Sequence, residues 1–329
     1  MSNEHPATPA DLAAFKQRPM AVTPQTMFPP PRSLARDLAL YTYAHLGWIR
    51  NADLRRTDEG DPDLFDKLAS LADEEEWDGP DAKFAGEQRI LRNYVELTFE
   101  RAHQQPKILT SSDGRFSAFN TGLATKEQEA IYGLFEPNRN EGRQPWFFRG
   151  WRVESARDLL ENFPELPDYV TYTDDPADFY YDWHRELKVS VRHVMEENLD
   201  RFPESLRSDR YGLELRLEAA VGRARERVRR NYKAAVPMWY PAEDRVQLLL
   251  PLSLTNRDTA DLALVVSKHG EYYRGSTVLT MGMAYNNARL LTRPDSDWLR
   301  PTSTDAQESA EATEEPAPYP GELSAEGTG

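Results

Sequence analysis

Apolar residues recur every three to four positions over three long stretches of this chain and follow a shorter rhythm over several others. The first helical pattern spans 33–49, where Leu34, Leu38, Tyr41 and Leu46 fall near one face. The second spans 86–104, with Ile90, Leu91, Tyr94, Leu97, Thr98 and Arg101 at helical spacing. The third and longest runs over 211–235 and stops before Pro237, whose ring blocks a helix interior. Between the first two, 51–87 is acidic with anchors at Leu64, Phe65, Leu68 and Leu71, which predicts short helices and loops. Strand patterns fill two other regions. Lys107–Leu109 and Arg115–Phe119 flank Ser111-Ser112-Asp113-Gly114, a hairpin signal. Ala130–Phe135 and Pro145–Val153 extend it into an antiparallel meander. Residues 154–162 predict a helix, and 174–196 one or two more, with Pro176 near the start. Arg245–Leu254, Asp261–Ser267 and Tyr272–Thr280 form a second meander, turning at Lys268-His269-Gly270, and a helix over about 283–291 closes the fold. Helices and antiparallel strands in separate runs define an α+β class, its two meanders forming either one sheet or two. No internal repeat is visible in the sequence.

The ends break the pattern. Residues 1–32 are rich in Pro, Ala and Thr and finish on Pro29-Pro30-Pro31, which predicts a disordered or extended arm. Residues 302–329 are polar and acidic and predict a disordered tail. The single folded domain is then 33–301. No run approaches the roughly 18 apolar residues of a membrane span, and the first 30 residues carry no apolar signal core. The 329 residues include no cysteine, so disulfides, thiolate metal sites and a cysteine nucleophile are excluded. These features favour the cytoplasm and no membrane partner.

The net charge of -15 argues at first against a nucleic-acid partner, but its distribution changes that picture. Residues 302–329 carry seven acids and no base, and 51–87 carry thirteen acids against four bases. Residues 88–301 are nearly neutral, so they can hold local basic patches.

The long helix is the most informative segment. At 100° per residue, Leu213, Leu217, Val221, Ala224, Val228, Tyr232 and Ala235 form a core arc about 100° wide. Arg216, Arg223, Arg227 and Arg230 form a flanking stripe about 60° wide, with Asn231 inside the apolar arc and Lys233 nearly opposite. A guanidinium row suits phosphates or carboxylates; the alternative is a solvated face with glutamate pairs. Asn120-Thr121-Gly122, where a strand should end, lets backbone approach a ligand, or makes an ordinary Asx-turn. Trp146-Phe147-Phe148-Arg149-Gly150-Trp151-Arg152 alternates aromatics with arginine, which fits base stacking or a core strand with one snorkelling arginine. Arg274 and the Tyr285, Asn286, Arg289 group could line a small-ligand site, or serve as caps and interface polarity. The ligand-binding candidates are therefore Asn120, Thr121, Gly122, Arg149, Arg223, Arg227, Arg230, Asn231, Arg274, Tyr285, Asn286 and Arg289.

No histidine pair has metal-ligand spacing, and no dinucleotide fingerprint, P-loop or nucleophile elbow occurs. No cofactor is evident, although a Mg²⁺ ion held by dispersed carboxylates stays open. For acid–base work the candidates are His184, His193 and Lys233.

The segments ILRNYVELTFERA, FNTGLAT, QPWFFRGW, ENLDRFPE, RVRRNYKAAVPMWY, QLLLPLSLT, DLALVV and YRGSTVLTMGMAYNNARLL occur in one order over roughly 35–299. In this the chain resembles the bacterial and fungal family called domain of unknown function 3825. The family carries no established activity. Some of its members resemble architectures with appended cold-shock or OST-HTH RNA-binding domains, which implies RNA-linked work by association. The 1–32 arm is too short for either domain, so an RNA contact would come from the body. The positions that the resemblance carries over are Asn120, Gly122, Arg149, Asn231, Lys233, Tyr285, Asn286 and Arg289, without assigned roles.

The leading expectation is an RNA- or nucleotide-handling protein. Its arginine-lined cleft would lie between the long helix and the two meanders, with Trp146 or Trp151 stacking a base. If it is an enzyme, phosphodiester or phosphoanhydride hydrolysis is the natural class. The alternatives are a non-enzymatic protein that captures a basic partner through its acidic tail, and a small-molecule enzyme with a carboxylate-held metal.

Overall fold

A computed structural model describes residues 39–46, 63–78, 88–140, 144–291, 293–294 and 297–299. The arm over 1–32 and the tail over 302–329 lie outside the described residues, as does most of the first helical pattern.

Two five-stranded sheets organise the α+β fold. The first is entered through helix α1 (Ala39–Tyr43) and strand β1 (Ala44–His45). Helices α2 (Leu64–Leu71) and α3 (Arg89–Gln104) follow. Then come β2 (Leu109–Thr110), β3 (Ser117–Ala124), β4 (Ala130–Pro137) and β5 (Trp146–Val153), an antiparallel meander. β1 returns to lie parallel beside β5, so the order is β1-β5-β4-β3-β2. Helix α4 (Arg157–Asn162) ends this half.

The second half repeats the plan. β6 (Glu186–Val189) leads into helices α5 (Val191–Glu197), α6 (Glu204–Arg207) and α7 (Arg210–Arg230). The meander β7 (Val236–Tyr240), β8 (Arg245–Leu252), β9 (Leu262–His269) and β10 (Tyr272–Thr280) follows. β6 lies parallel beside β10, giving β6-β10-β9-β8-β7. Helix α8 (Met281–Arg289) closes it.

The two meanders are thus separate sheets, and helices fill the space between them. One core joins Phe99 of α3 to Phe119 and Phe135 of the first sheet, and continues through Ala284 and Ala288 of α8 to Met238, Leu249 and Val265 of the second. The opposite face of the first sheet is covered around Leu159 of α4, and that of the second by α7. The layers therefore run α4, first sheet, α3 with α8, second sheet, α7. Both faces of the second sheet are covered, so Leu248, Leu249 and Leu250 are all buried and strand alternation is lost there.

Several expected boundaries move. The helix expected over 33–49 stops at Tyr43 within the described residues, because Ala44 and His45 pair with Trp146 and Phe147. The expected helices over 174–196 contain a 3₁₀ turn (Pro176–Phe179), strand β6 and only then α5. The long helix ends at Arg230, with Asn231 extended at φ -141°. Beyond it, β7 accommodates Pro237 because it is an edge strand pairing only with β8. Among the described residues, no helix is long and apolar enough to cross a membrane.

Candidate functional site

Helix α7 starts on Asp209, whose carboxylate accepts a hydrogen bond from Gly212 N at 2.9 Å. It buries Leu213, Leu217, Ala220, Val221, Ala224 and Val228 against the second sheet. That orientation leaves the arginine flank to solvent. There Leu215, Arg216, Ala219 and Arg223 face Leu254, Thr255, Asn256 and Arg257 of the β8–β9 loop across an open cleft of about 320 Å³. Among the described residues, three guanidiniums line it and no carboxylate does. Arg223 Nη2 donates to Ser253 O at 2.6 Å, which anchors the side chain and leaves its other N–H groups free to donate.

The loop side is built to stay in place. The Asp261 carboxylate accepts from Leu254 N (2.6 Å), Thr255 N (3.0 Å) and Thr255 Oγ1 (2.6 Å). Asn256 Oδ1 accepts from Asp258 N and Thr259 N, both at 2.9 Å. The Asp261 carboxylate is thus turned to the loop backbone and away from the groove. Arg216, Arg227 and Arg230 form no ion pair among the described residues, whereas Glu214 of the same helix pairs with Arg192 at 3.7 Å. Uncompensated guanidiniums around an apolar floor make a site for an anion with some apolar surface.

A second polar cluster lies buried between α3 and α8. Arg289 Nε donates to Glu75 Oε1 at 2.6 Å, and Tyr285 Oη to the same oxygen at 3.2 Å. The guanidinium lies 4.5 Å from the Tyr94 ring centroid and 4.8 Å from that of Trp77. Asn93 Nδ2 donates to Asn286 Oδ1 at 3.3 Å. Burial works to lower the Arg289 pKa, but Tyr94 and Glu75 outweigh it and hold the guanidinium above its ordinary value. Burial, with Glu75 beside it, pushes the Tyr285 phenol up to about 12. The charged and phenolic groups of the cluster pair with one another and join the two halves, while the buried Trp77 Nε1 has no hydrogen-bond partner among the described residues.

The expected site residues fall in separate places. Asn120 and Thr121 are buried and turned inward: Asn120 Oδ1 accepts from Gly122 N (2.8 Å), and Thr121 Oγ1 donates to Ile131 O (2.6 Å). Gly122 adopts φ +76° against Tyr94. Tyr285, Asn286 and Arg289 join the buried cluster. Arg149 is half-exposed on the first sheet, 3.5 Å from Glu136. Arg274 is exposed on β10, in register with Lys188 and Ser267. Arg223, Arg227 and Arg230 lie along α7, on the outermost layer, so the expected cleft between that helix and both meanders does not form. Asn231 is exposed rather than in the apolar arc, because the helix has already ended; its Oδ1 accepts from Lys233 N at 3.1 Å. Trp146 stacks on Tyr43, and Trp151 Nε1 donates to Leu64 O at 2.8 Å, so both belong to the first sheet's packing. His184 and His193 are exposed beside Asp182 (3.1 Å) and Glu197 (3.3 Å). Lys233 is exposed in the turn after α7. Among the described residues, no three His, Asp or Glu side chains form a group that could hold a metal ion.

Sequence reasoning misses Thr255, Asn256 and Arg257. The Asn256-Arg257-Asp258-Thr259 run is a turn signal, but nothing local says that it faces Arg216 and Arg223. Glu75 and Trp77 escape it for the same reason, since they meet Arg289 across more than 200 residues of chain.

The family model of a domain of unknown function (DUF3825) matches residues 68–298. No curated protein and no solved structure matches the chain.

Proposed function

The chain therefore belongs to the DUF3825 family, and we propose that it binds a phosphate-bearing ligand, RNA or a nucleotide, in the arginine groove of α7. One observation carries the reading: in a chain of net charge -15, the groove is lined by Arg216, Arg223 and Arg257 and, among the described residues, by no carboxylate. Guanidinium forks match phosphate oxygens, and the Leu215, Ala219 and Leu254 floor suits the less polar part of a nucleotide. The reading is one of binding. No lining side chain exchanges a proton near neutral pH, so hydrolysis would need an acid and base from outside the groove. The cytoplasm, where such ligands abound, is the location this function fits.

The test is a salt titration of oligonucleotide binding by fluorescence anisotropy. Arg216→Ala with Arg223→Ala should weaken binding. It should also flatten the dependence of log K on log salt by about 0.7–0.9 for each phosphate that is no longer neutralised. An unchanged slope and affinity would remove the groove from the binding surface.

A further inference from the structure

The last turn of α7 stands beside a group of exposed aromatic rings that the core does not use. Tyr180, Trp183 and Tyr232 are 55%, 46% and 62% exposed. The Tyr180 and Tyr232 ring centroids lie 6.1 Å apart, tilted by 49°. The Arg229 guanidinium sits 5.0 Å from the Trp183 centroid, and the His184 ring stacks on Trp183 at 3.6 Å. These rings come from two segments, the 176–185 loop and the turn after α7.

The loop is held firmly. Tyr181 stacks on Tyr273 at 4.5 Å, and Asp182 N donates to Tyr273 Oη at 3.1 Å. The Asp182 carboxylate accepts from His184 N and from Arg185 Nε, each at 3.1 Å, which also keeps its pKa low. Its negative charge is thereby matched within the loop. The backbone that carries Tyr180 and Trp183 is therefore in place before a ligand arrives, which lowers the ordering entropy that opposes binding.

We propose that Tyr180 and Tyr232 bind the unpaired bases of a single-stranded nucleic acid whose phosphates cross the arginine-bearing exposed face of α7. The inference rests on the groove reading above and narrows its ligand class. Basic residues in a last helical turn also suit the helix dipole, so the rings, and not the charges alone, carry it. Stacking on exposed tyrosines needs splayed bases; a duplex offers its phosphates but hides its base faces. Arg223 and Arg229 are six residues apart, about 9 Å along the helix and about 120° around it, so a strand that crosses the exposed face of α7 obliquely over a few nucleotides reaches both the groove and the rings.

The experiment measures anisotropy of labelled U12 RNA, dT12 DNA and a 12-base-pair RNA duplex with the full chain, over a range of salt. The wild type should favour single strands. Tyr180→Ala with Tyr232→Ala should weaken single-strand binding about tenfold or more while leaving the salt slope and duplex binding unchanged. Tyr232→Phe in the Tyr180→Phe background should restore it, since both keep the ring. A preference for U12 over dT12 assigns the strand as RNA, and equal binding assigns the shared chemistry of both. Unchanged single-strand affinity in the Ala variant overturns the proposal, and so does equal binding of duplex and single strand by the wild type. In either case a flattened slope in the Arg216→Ala, Arg223→Ala variant would still sustain the groove reading. Binding to the rings by a proline-rich peptide and by no oligonucleotide would also overturn it.

Discussion

Arg289 illustrates how one residue type serves two ends in this protein. In the α7 groove the arginines look outward without carboxylate partners among the described residues; on α8 the same side chain is 6% exposed and clasped by Glu75, Tyr94 and Trp77. Removing one member of a buried pair leaves an uncompensated charge. Arg289→Met should therefore destabilise the fold by about 3–5 kcal/mol, and adding Glu75→Gln should return much of that loss. Denaturant unfolding of the four proteins checks it; additive losses would mean that the two groups do not act as a pair. Gly122 is the other residue that the cluster constrains. Its φ of +76° and the Tyr94 hydroxyl, with which an added Cβ would collide, both demand glycine. Gly122→Ala should cost about 1–3 kcal/mol by the same measurement. The sequence marks Gly122, Tyr285, Asn286 and Arg289 as unusual and suggests a ligand for them. Their partners are protein groups from α3 and the 73–78 segment, which no spacing rule could supply.

Among elements, α7 is the one most fully legible in the sequence. Its apolar arc and arginine stripe follow from 3.6-residue periodicity, and both are found where the helical wheel puts them. Only its end differs. Asn231 leaves the helix and caps the following turn, which exposes Asn231 and Tyr232. The same helix contains Gly222, exposed in mid-helix with nothing within 4 Å of an added Cβ. Gly222→Ala should stabilise the protein by about 0.5–1 kcal/mol, visible as a raised thermal midpoint. A lowered midpoint would mean that the backbone at 222 departs from ordinary helix. β6 and β7 are illegible for physical reasons. β6 is four residues long, too short for a period to show, and β7 carries Pro237, normally a strand breaker. Each is fixed by a neighbour distant in sequence or hidden by that proline, β10 for the one and β8 for the other.

At the scale of the molecule, the two halves share a plan: a strand, helices, then a four-stranded meander that the first strand rejoins in parallel. In the first half the helix before the meander, α3, meets α8; in the second its counterpart α7 has no further layer among the described residues and turns its arginines to solvent. That is the physical origin of the groove, since a terminal layer must carry a polar outer face. The halves nevertheless share one core, with Phe99, Met238 and Ala284 in the same cluster. Separate expression of 39–170 and 171–299 should therefore give fragments without a cooperative thermal transition. A sharp transition in either fragment alone would show that the shared core is dispensable. The sequence by itself determined the α+β class, the two meanders, the faces of α7 and the absence of thiol chemistry, because periodicity and composition are local properties. Only the tertiary structure decided that the meanders are separate sheets, that Arg289 is enclosed while Arg216, Arg223 and Arg257 share a groove, and that Trp183 stands exposed. Those outcomes depend on the order in which layers stack and on contacts between residues far apart along the chain, and a local pattern carries no record of either.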